Sequence, residues 1–128
     1  MSIFNHISLG ANDLVKSRAF YDAALAPLGI KNIAPMGESG FLYGVDHPEL
    51  LITKPRDGQP ATMANGGTVG FKAATRAAVR EFHAAALAHG GTCDGEPGPR
   101  SFTPTAYAAY VRDPVGNKLC VYCFADGE

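Results

Sequence analysis

Tryptophan is absent from the 128 residues, cysteine occurs three times, and charged residues make up 18% with a net charge of −1. Acids and bases are interspersed, and no basic patch or charged tail stands out, which excludes nucleic acid and anionic membrane as expected partners. No apolar run approaches the ~20 residues that a membrane span needs. The opening MSIFNHISLG has no basic stretch leading into an apolar run, so a secretory leader is not expected. Cys93, Cys120 and Cys123 are an odd set without a leader, which predicts reduced thiols in a cytoplasmic protein and no disulfide framework. The run CVYC invites a metal or redox reading. In a strand, however, residues three apart point to opposite faces, so structural thiols are expected there. The common catalytic signatures are missing as well: there is no G-x-S-x-G, no H-E-x-x-H and no phosphate-cradling glycine loop. Gly66-Gly67 precedes a strand, not a helix, and offers phosphate no helix N-terminus.

What is present is enough for one domain over residues 1–128, since 46% of the chain is hydrophobic. Ile3 to Gly10 alternates, with Ile3, Ile7 and Leu9 on one side and Phe4, His6 and Ser8 on the other. Asn12 or Asp13 caps a helix, LVKSRAFYDAALAPLG, whose end is marked by Pro27 and Gly29. Strand-like runs follow at Ile30–Ala34, Gly40–Val45 and Leu50–Thr53. PRDGQPATMANGG has the composition of a surface loop. Beyond it come a strand at Thr68–Ala73, an alanine-rich helix at Thr75–His89 stopped by Gly90-Gly91, and a weak strand signal from Thr92. A final pair of strands, Tyr107–Arg112 and Lys118–Phe124, is joined by the turn DPVGN.

The order β-α-β-β-β therefore occurs twice. FYDAAL and FHAAAL sit 62 residues apart. The same offset carries Ile7 to Val69, Leu9 to Phe71, Ser8 to Gly70 and Gly29 to Gly91. Alanine bias alone would align helices without aligning the strands before them, so a duplicated module is inferred, with copies at 1–56 and 66–125 joined by loop 57–65. The copies agree on core-facing residues and differ on the opposite face, where His6 becomes Thr68.

HISLGANDLVKSRAFYDAAL, PRDGQPA and YAAYVRDPVGNKL together resemble the glyoxalase/bleomycin-resistance/extradiol-dioxygenase superfamily, also called vicinal oxygen chelate proteins. The resemblance covers nearly the whole chain. It implies an α+β fold of paired βαβββ modules curled into a half-open barrel around a cavity, usually in a homodimer. Metal-dependent members carry a His in the first strand of each module and a Glu in the last. Position by position, this chain offers His6, then Thr68, then Cys120 where the Glu would stand, with apolar Leu51 and Ile52 near the remaining ligand position. One usual ligand survives, which implies no metal and no other cofactor. His47, beside Pro48 in a turn, and His83, within a helix, are further ligands in name only.

Alternation places Thr68, Gly70 and Lys72 on the cavity face, with Cys120, Tyr122 and Phe124 on the last strand. If the DPVGN turn pairs Tyr110 with Cys120, then Tyr110 and Arg112 join that face and Tyr107 leaves it. The resemblance adds Arg100 at the cavity mouth, where a guanidinium fork would suit an anionic or carbonyl-bearing ligand. The expected contacts to a ligand are thus His6, Thr68, Arg100, Tyr110, Cys120 and Tyr122. The expected function is binding of a small organic compound without a catalytic metal, as in resistance-type relatives. A lyase or isomerase using His6 with Tyr110, or Cys120 as a thiol, is the alternative, and a metal enzyme with an atypical ligand set is the third reading.

Overall fold

Two short capped helices, each between a first strand and a three-strand meander, make the same unit twice in this computed structural model, which describes residues 2–127. The first unit runs β1 (Ile7–Gly10), α1 (Leu14–Leu25), a 3-10 turn (Ala26–Leu28), β2 (Lys31–Pro35), β3 (Gly40–Gly44) and β4 (Leu50–Thr53). The second runs β5 (Thr68–Lys72), α2 (Arg76–Ala88), β6 (Thr92–Pro99), β7 (Tyr107–Arg112) and β8 (Lys118–Cys123). Each forms a four-stranded sheet of the same order, β1-β4-β3-β2 and β5-β8-β7-β6. First and last strands pair parallel, and the others pair antiparallel. The fold is α+β with two repeated modules, and the two sheets do not merge into a closed barrel. No helix among the described residues is long and apolar enough to cross a membrane.

The repeat holds at the level of packing. Ile7, Leu9, Val69 and Phe71 all lie against one core, and the first helical residues, Leu14 and Arg76, are equivalent under the same offset. Asp13, not Asn12, caps α1 by accepting from the amides of Val15 and Lys16 at 3.0 and 3.1 Å. Asn12 instead exchanges two hydrogen bonds with the backbone of Ala61, at 2.7 and 3.1 Å, and so pins the inter-module loop. Thr75 caps α2 through the amide of Ala78. The helix stops differ from the simple correspondence of Gly29 with Gly91. The left-handed residue is Gly29 in the first copy (φ 76°) but Gly90 in the second (φ 97°). Gly91 is needed for space: a Cβ there would lie 2.6 Å from Phe20 Cε1 and 2.9 Å from the Arg112 carbonyl.

Both helices pack on one face of the sheets, and a single core runs through both modules. Phe20, Tyr21 and Leu25 of α1 meet Val79 and Phe82 of α2, Tyr43 and Ile52 of the first sheet, and Val111, Leu119 and Val121 of the second. Burying each such side chain contributes about 1.5–3 kcal/mol. Two boundaries depart from expectation for identifiable reasons. β1 begins at Ile7, not Ile3, because its partner among the described residues is β4, and the Ile7 amide already bonds back to Glu49, one residue before that strand. Ile3, left without a partner strand, is 92% exposed. The weak signal from Thr92 is an eight-residue strand with two register shifts, and its Pro97 and Pro99 cannot donate to the ladder.

The modules are stitched by one buried carboxylate. Asp113, in the β7–β8 turn, accepts from the Tyr21 hydroxyl of α1 at 2.5 Å and from the Asn117 side chain at 2.9 Å. Its other oxygen accepts from the amides of Val115, Gly116 and Asn117. Asn117 also donates to the Gly10 carbonyl at the end of β1. Burial, then the Asp113 charge, pushes the Tyr21 hydroxyl well above its ordinary value. Asp113→Ala leaves these donors buried and unanswered, and is expected to lower stability by about 3 kcal/mol, with Tyr21→Phe costing about 2 kcal/mol. Urea unfolding midpoints check both. A change within the ~0.5 kcal/mol typical of surface substitutions would remove Asp113 from this role.

Candidate functional site

The alternation that sends Leu119, Val121 and Cys123 toward the helices sends Lys118, Cys120 and Tyr122 to the opposite, open face. β7 pairs with β8 in the register that sets Tyr110 against Cys120, Ala108 against Tyr122 and Arg112 against Lys118. Tyr110, Cys120 and Tyr122 therefore share a face. Tyr107 lies on the other, under the guanidinium groups of Arg76 and Arg80. The two cysteines of CVYC diverge as expected, with Cys123 in the core and Cys120 on the open face.

Four aromatic rings cluster there. Tyr110 and Tyr122 meet edge to face at 6.0 Å, Tyr122 stacks on Phe124 at 5.7 Å, and Phe102 lies 5.8 Å from Tyr122 and 6.4 Å from Phe124. Phe102 and Phe124 are 63% and 52% exposed. Phe102 escaped sequence reasoning because it lies in the β6–β7 loop, where no periodicity assigns a face. The Tyr110 and Tyr122 hydroxyls are 2.5 Å apart. That hydrogen bond, followed by burial, pushes the Tyr110 hydroxyl up to about 12.

The Cys120 thiol fills space left by the missing side chain of Gly70, where a Cβ would come within 3.1 Å of Sγ. Burial pushes this thiol up from its ordinary value, against the opposing pull of Tyr110 and Lys118. The Lys118 ammonium sits 5.3 Å from the Tyr110 ring centre and the Arg100 guanidinium 5.7 Å from it. Arg100 does not present the free fork that was expected. Its two terminal nitrogens donate to the carbonyls of Gly98, Pro99 and Glu96 in the proline- and glycine-rich β6. Arg112 and Lys118 likewise face Asp94, at 3.0 and 3.8 Å, a partner that sequence reasoning also missed.

Thr68 stands at the edge of this sheet, paired with Lys118 and exposed. His6 does not sit in a strand. It precedes β1, is exposed, and has its Nδ1 2.7 Å from the Asn5 side-chain oxygen. Leu51 and Ile52, the apolar pair near the remaining metal position of the resemblance, lie across from Ser8 and Leu9. An exposed imidazole, a neutral hydroxyl, a buried thiol with a raised pKa and an apolar side chain do not fit the three or four convergent donors that such a metal needs. His83, set aside in the sequence because it lies in a helix, is the histidine whose ring meets other donors, namely Cys93 and Glu96.

A cavity of about 500 Å³ opens at the seam between the modules, lined by Phe4, Leu28, Tyr43 and Phe71 and by Gly70 and Lys72 of the expected cavity face, among others. Its walls include none of the six expected contact residues.

The sequence profile of the Glyoxalase/Bleomycin resistance protein/Dioxygenase superfamily matches residues 3–121. The chain belongs to that superfamily. A glyoxalase/bleomycin resistance protein from Albidiferax ferrireducens T118 is 44% identical, with 95% of this chain and 98% of that one covered and a TM-score of 0.85. A lactoylglutathione lyase from Agrobacterium tumefaciens is 23% identical, covering 95% and 92%, with a TM-score of 0.64. A fosfomycin resistance protein from Listeria monocytogenes is 17% identical, covering 98% and 96%, with a TM-score of 0.68. At these last two identities the likeness is one of fold. Comparison with curated proteins gives no match.

Tyr122→Phe removes the largest cause of the raised Tyr110 pKa, so the Tyr110 midpoint is expected to fall from about 12 toward the ordinary tyrosine value of 10.0. An ultraviolet pH titration, with Tyr110→Phe subtracted to assign the signal, reads this directly. An unmoved midpoint would mean that the two hydroxyls are not coupled.

Proposed function

We propose that this protein binds a small organic compound with an aromatic or planar apolar body against the open face of its second sheet, without a catalytic metal. The observation that carries the reading is the ring cluster of Phe102, Tyr110, Tyr122 and Phe124, which leaves large aromatic surfaces exposed beside charged groups. Such a patch suits a flat apolar ligand, which each ring can stabilise by about 0.5–1.5 kcal/mol beyond simple burial. Cys120 lies beneath the ligand, Thr68 and Lys118 beside it, and Arg100 holds the β6 backbone around Tyr110. His6, on the arm before β1, reaches the ligand from the first module. A second copy of the chain, in a cytoplasmic homodimer, would complete the wall over the open face.

The alternative of lyase or isomerase chemistry is less well supported by the groups present. Both Tyr110 and Cys120 are pushed up, which favours their neutral forms near pH 7. A neutral phenol and thiol can donate hydrogen bonds to a bound carbonyl or hydroxyl, but neither is prepared as a base or thiolate nucleophile. The metal-enzyme reading meets the poor donor set already described.

Thermal-shift screening of aromatic acids, phenols and quinones is expected to yield a ligand that raises Tm by several degrees when present well above its Kd. The ligand should be recovered unchanged after prolonged incubation. Phe102→Ala, at an exposed loop position, is expected to weaken its binding about tenfold with little effect on the melting of the free protein. Turnover that disappears in Tyr110→Phe would replace the binding reading with acid–base catalysis. Weakening by Phe4→Ala and not by Phe102→Ala would move the ligand to the seam cavity.

A further inference from the structure

Behind the open face, between α2 and β6, three metal-ligating side chains converge that the proposed ligand site does not use. His83 lies on the buried side of α2, in the row Val79, His83 and Ala86 that spacings of four and three place against the sheet. Its Nε2 is 3.2 Å from Cys93 Sγ and 3.7 Å from Glu96 Oε2. The three donor atoms lie within 4.8 Å of one another. In a regular strand Cys93 and Glu96, three residues apart, would point to opposite faces, the same rule that separates Cys120 from Cys123. Here β6 slips: Cys93 opposes Val111, yet Gly95 opposes Tyr110, so Asp94 is an extra residue on this strand. The bulge turns Glu96 back to the side of Cys93. A device that costs β6 its regularity thus brings a thiol and a carboxylate to one histidine.

From this geometry we infer that His83, Cys93 and Glu96 form a mononuclear site for a divalent ion of the zinc class. Imidazole, thiolate and carboxylate together are the donor set of such ions. Bonds of about 2.0–2.3 Å in a tetrahedron set neighbouring donors about 3.3–3.8 Å apart. Both distances from His83 are already close to that range, and rotation of the exposed Glu96 side chain closes the third edge. The Gly95 amide points at Cys93 Sγ from 3.4 Å and supports negative charge on sulfur. Cys93 and Glu96 are exposed while His83 is 6% exposed, so the ion enters from solvent and is anchored at its inner side. The fourth position is left to water or an outside ligand. The Glu96 carbonyl accepts from Arg100, which lies over the Tyr110 ring, so an ion here also braces the segment that positions Arg100.

The site differs from the superfamily's metal position, which falls at His6, Thr68 and Cys120, and the thiols separate the two. The reduced, intact chain is titrated with Co(II), a spectroscopic stand-in for Zn(II). One equivalent is expected to bind with a thiolate-to-cobalt charge-transfer band that Cys93→Ser abolishes and Cys120→Ser leaves in place. Glu96→Gln, at an exposed position, is expected to weaken Zn(II) binding about tenfold to hundredfold, measured by competition with a chelating dye. Circular dichroism establishes that each variant is folded before it is titrated. No uptake by the folded wild-type chain overturns the inference. So does a band that survives Cys93→Ser or is lost with Cys120→Ser.

Discussion

A carboxylate buried between two modules cannot be left half satisfied, and that constraint organises this fold. Asp113 takes hydrogen bonds from a tyrosine of the first module, from an asparagine that also grips the end of β1, and from the amides of its own turn. Each donor would be costly to strand without its acceptor. The turn between β7 and β8 is therefore locked to α1 and to β1 together. The register of β7 against β8 follows from that turn, and with it the choice of which tyrosines and cysteines reach the open face.

Duplication accounts for the architecture, while the differences between copies account for the chemistry. Both sheets give one face to a shared core, where Ile7 and Leu9 match Val69 and Phe71. On the other face the second module carries clustered rings, a thiol and charged groups, whereas the first places Ser8, Leu42 and Leu51 in register there. β6 has no counterpart of equal irregularity in the first sheet. Its carbonyls accept from Arg100, and its register shift turns Glu96 toward His83.

Local patterns carried much of this in legible form. Period-two alternation gave the divergence of Cys120 from Cys123, and the DPVGN turn offered the pairing of Tyr110 with Cys120 as one register, which the structure adopts. Capping residues and the repeat marked α2 to within a residue, and α1 as closely once the 3-10 turn Ala26–Leu28 that ends it is included. The start of β1 was not legible, because a strand extends only as far as its partner, and β4 is distant in the chain. Arg100, expected to offer a free fork at a cavity mouth, donates instead to the carbonyls of Glu96, Gly98 and Pro99, since nothing local announces which backbone groups the fold brings to its guanidinium. Phe102 and Asp94 were invisible for a similar reason: each belongs to the site through neighbours brought together by the fold.

By itself, then, the sequence determined the class of fold, the duplication, the superfamily and the residues that alternate onto each face. The duplication and the assignment of faces follow from periodicities of two and 3.6 and from turn chemistry, which act over a few neighbouring residues, whereas the superfamily rests on the resemblance of its motifs. Tertiary structure decided which of those residues meet. It left His6 on an exposed arm, gathered four rings on the second sheet, and set His83 beside Cys93 and Glu96 through a one-residue slip in β6. Convergence of side chains depends on long-range packing and on register irregularities, and no single stretch of the chain encodes either.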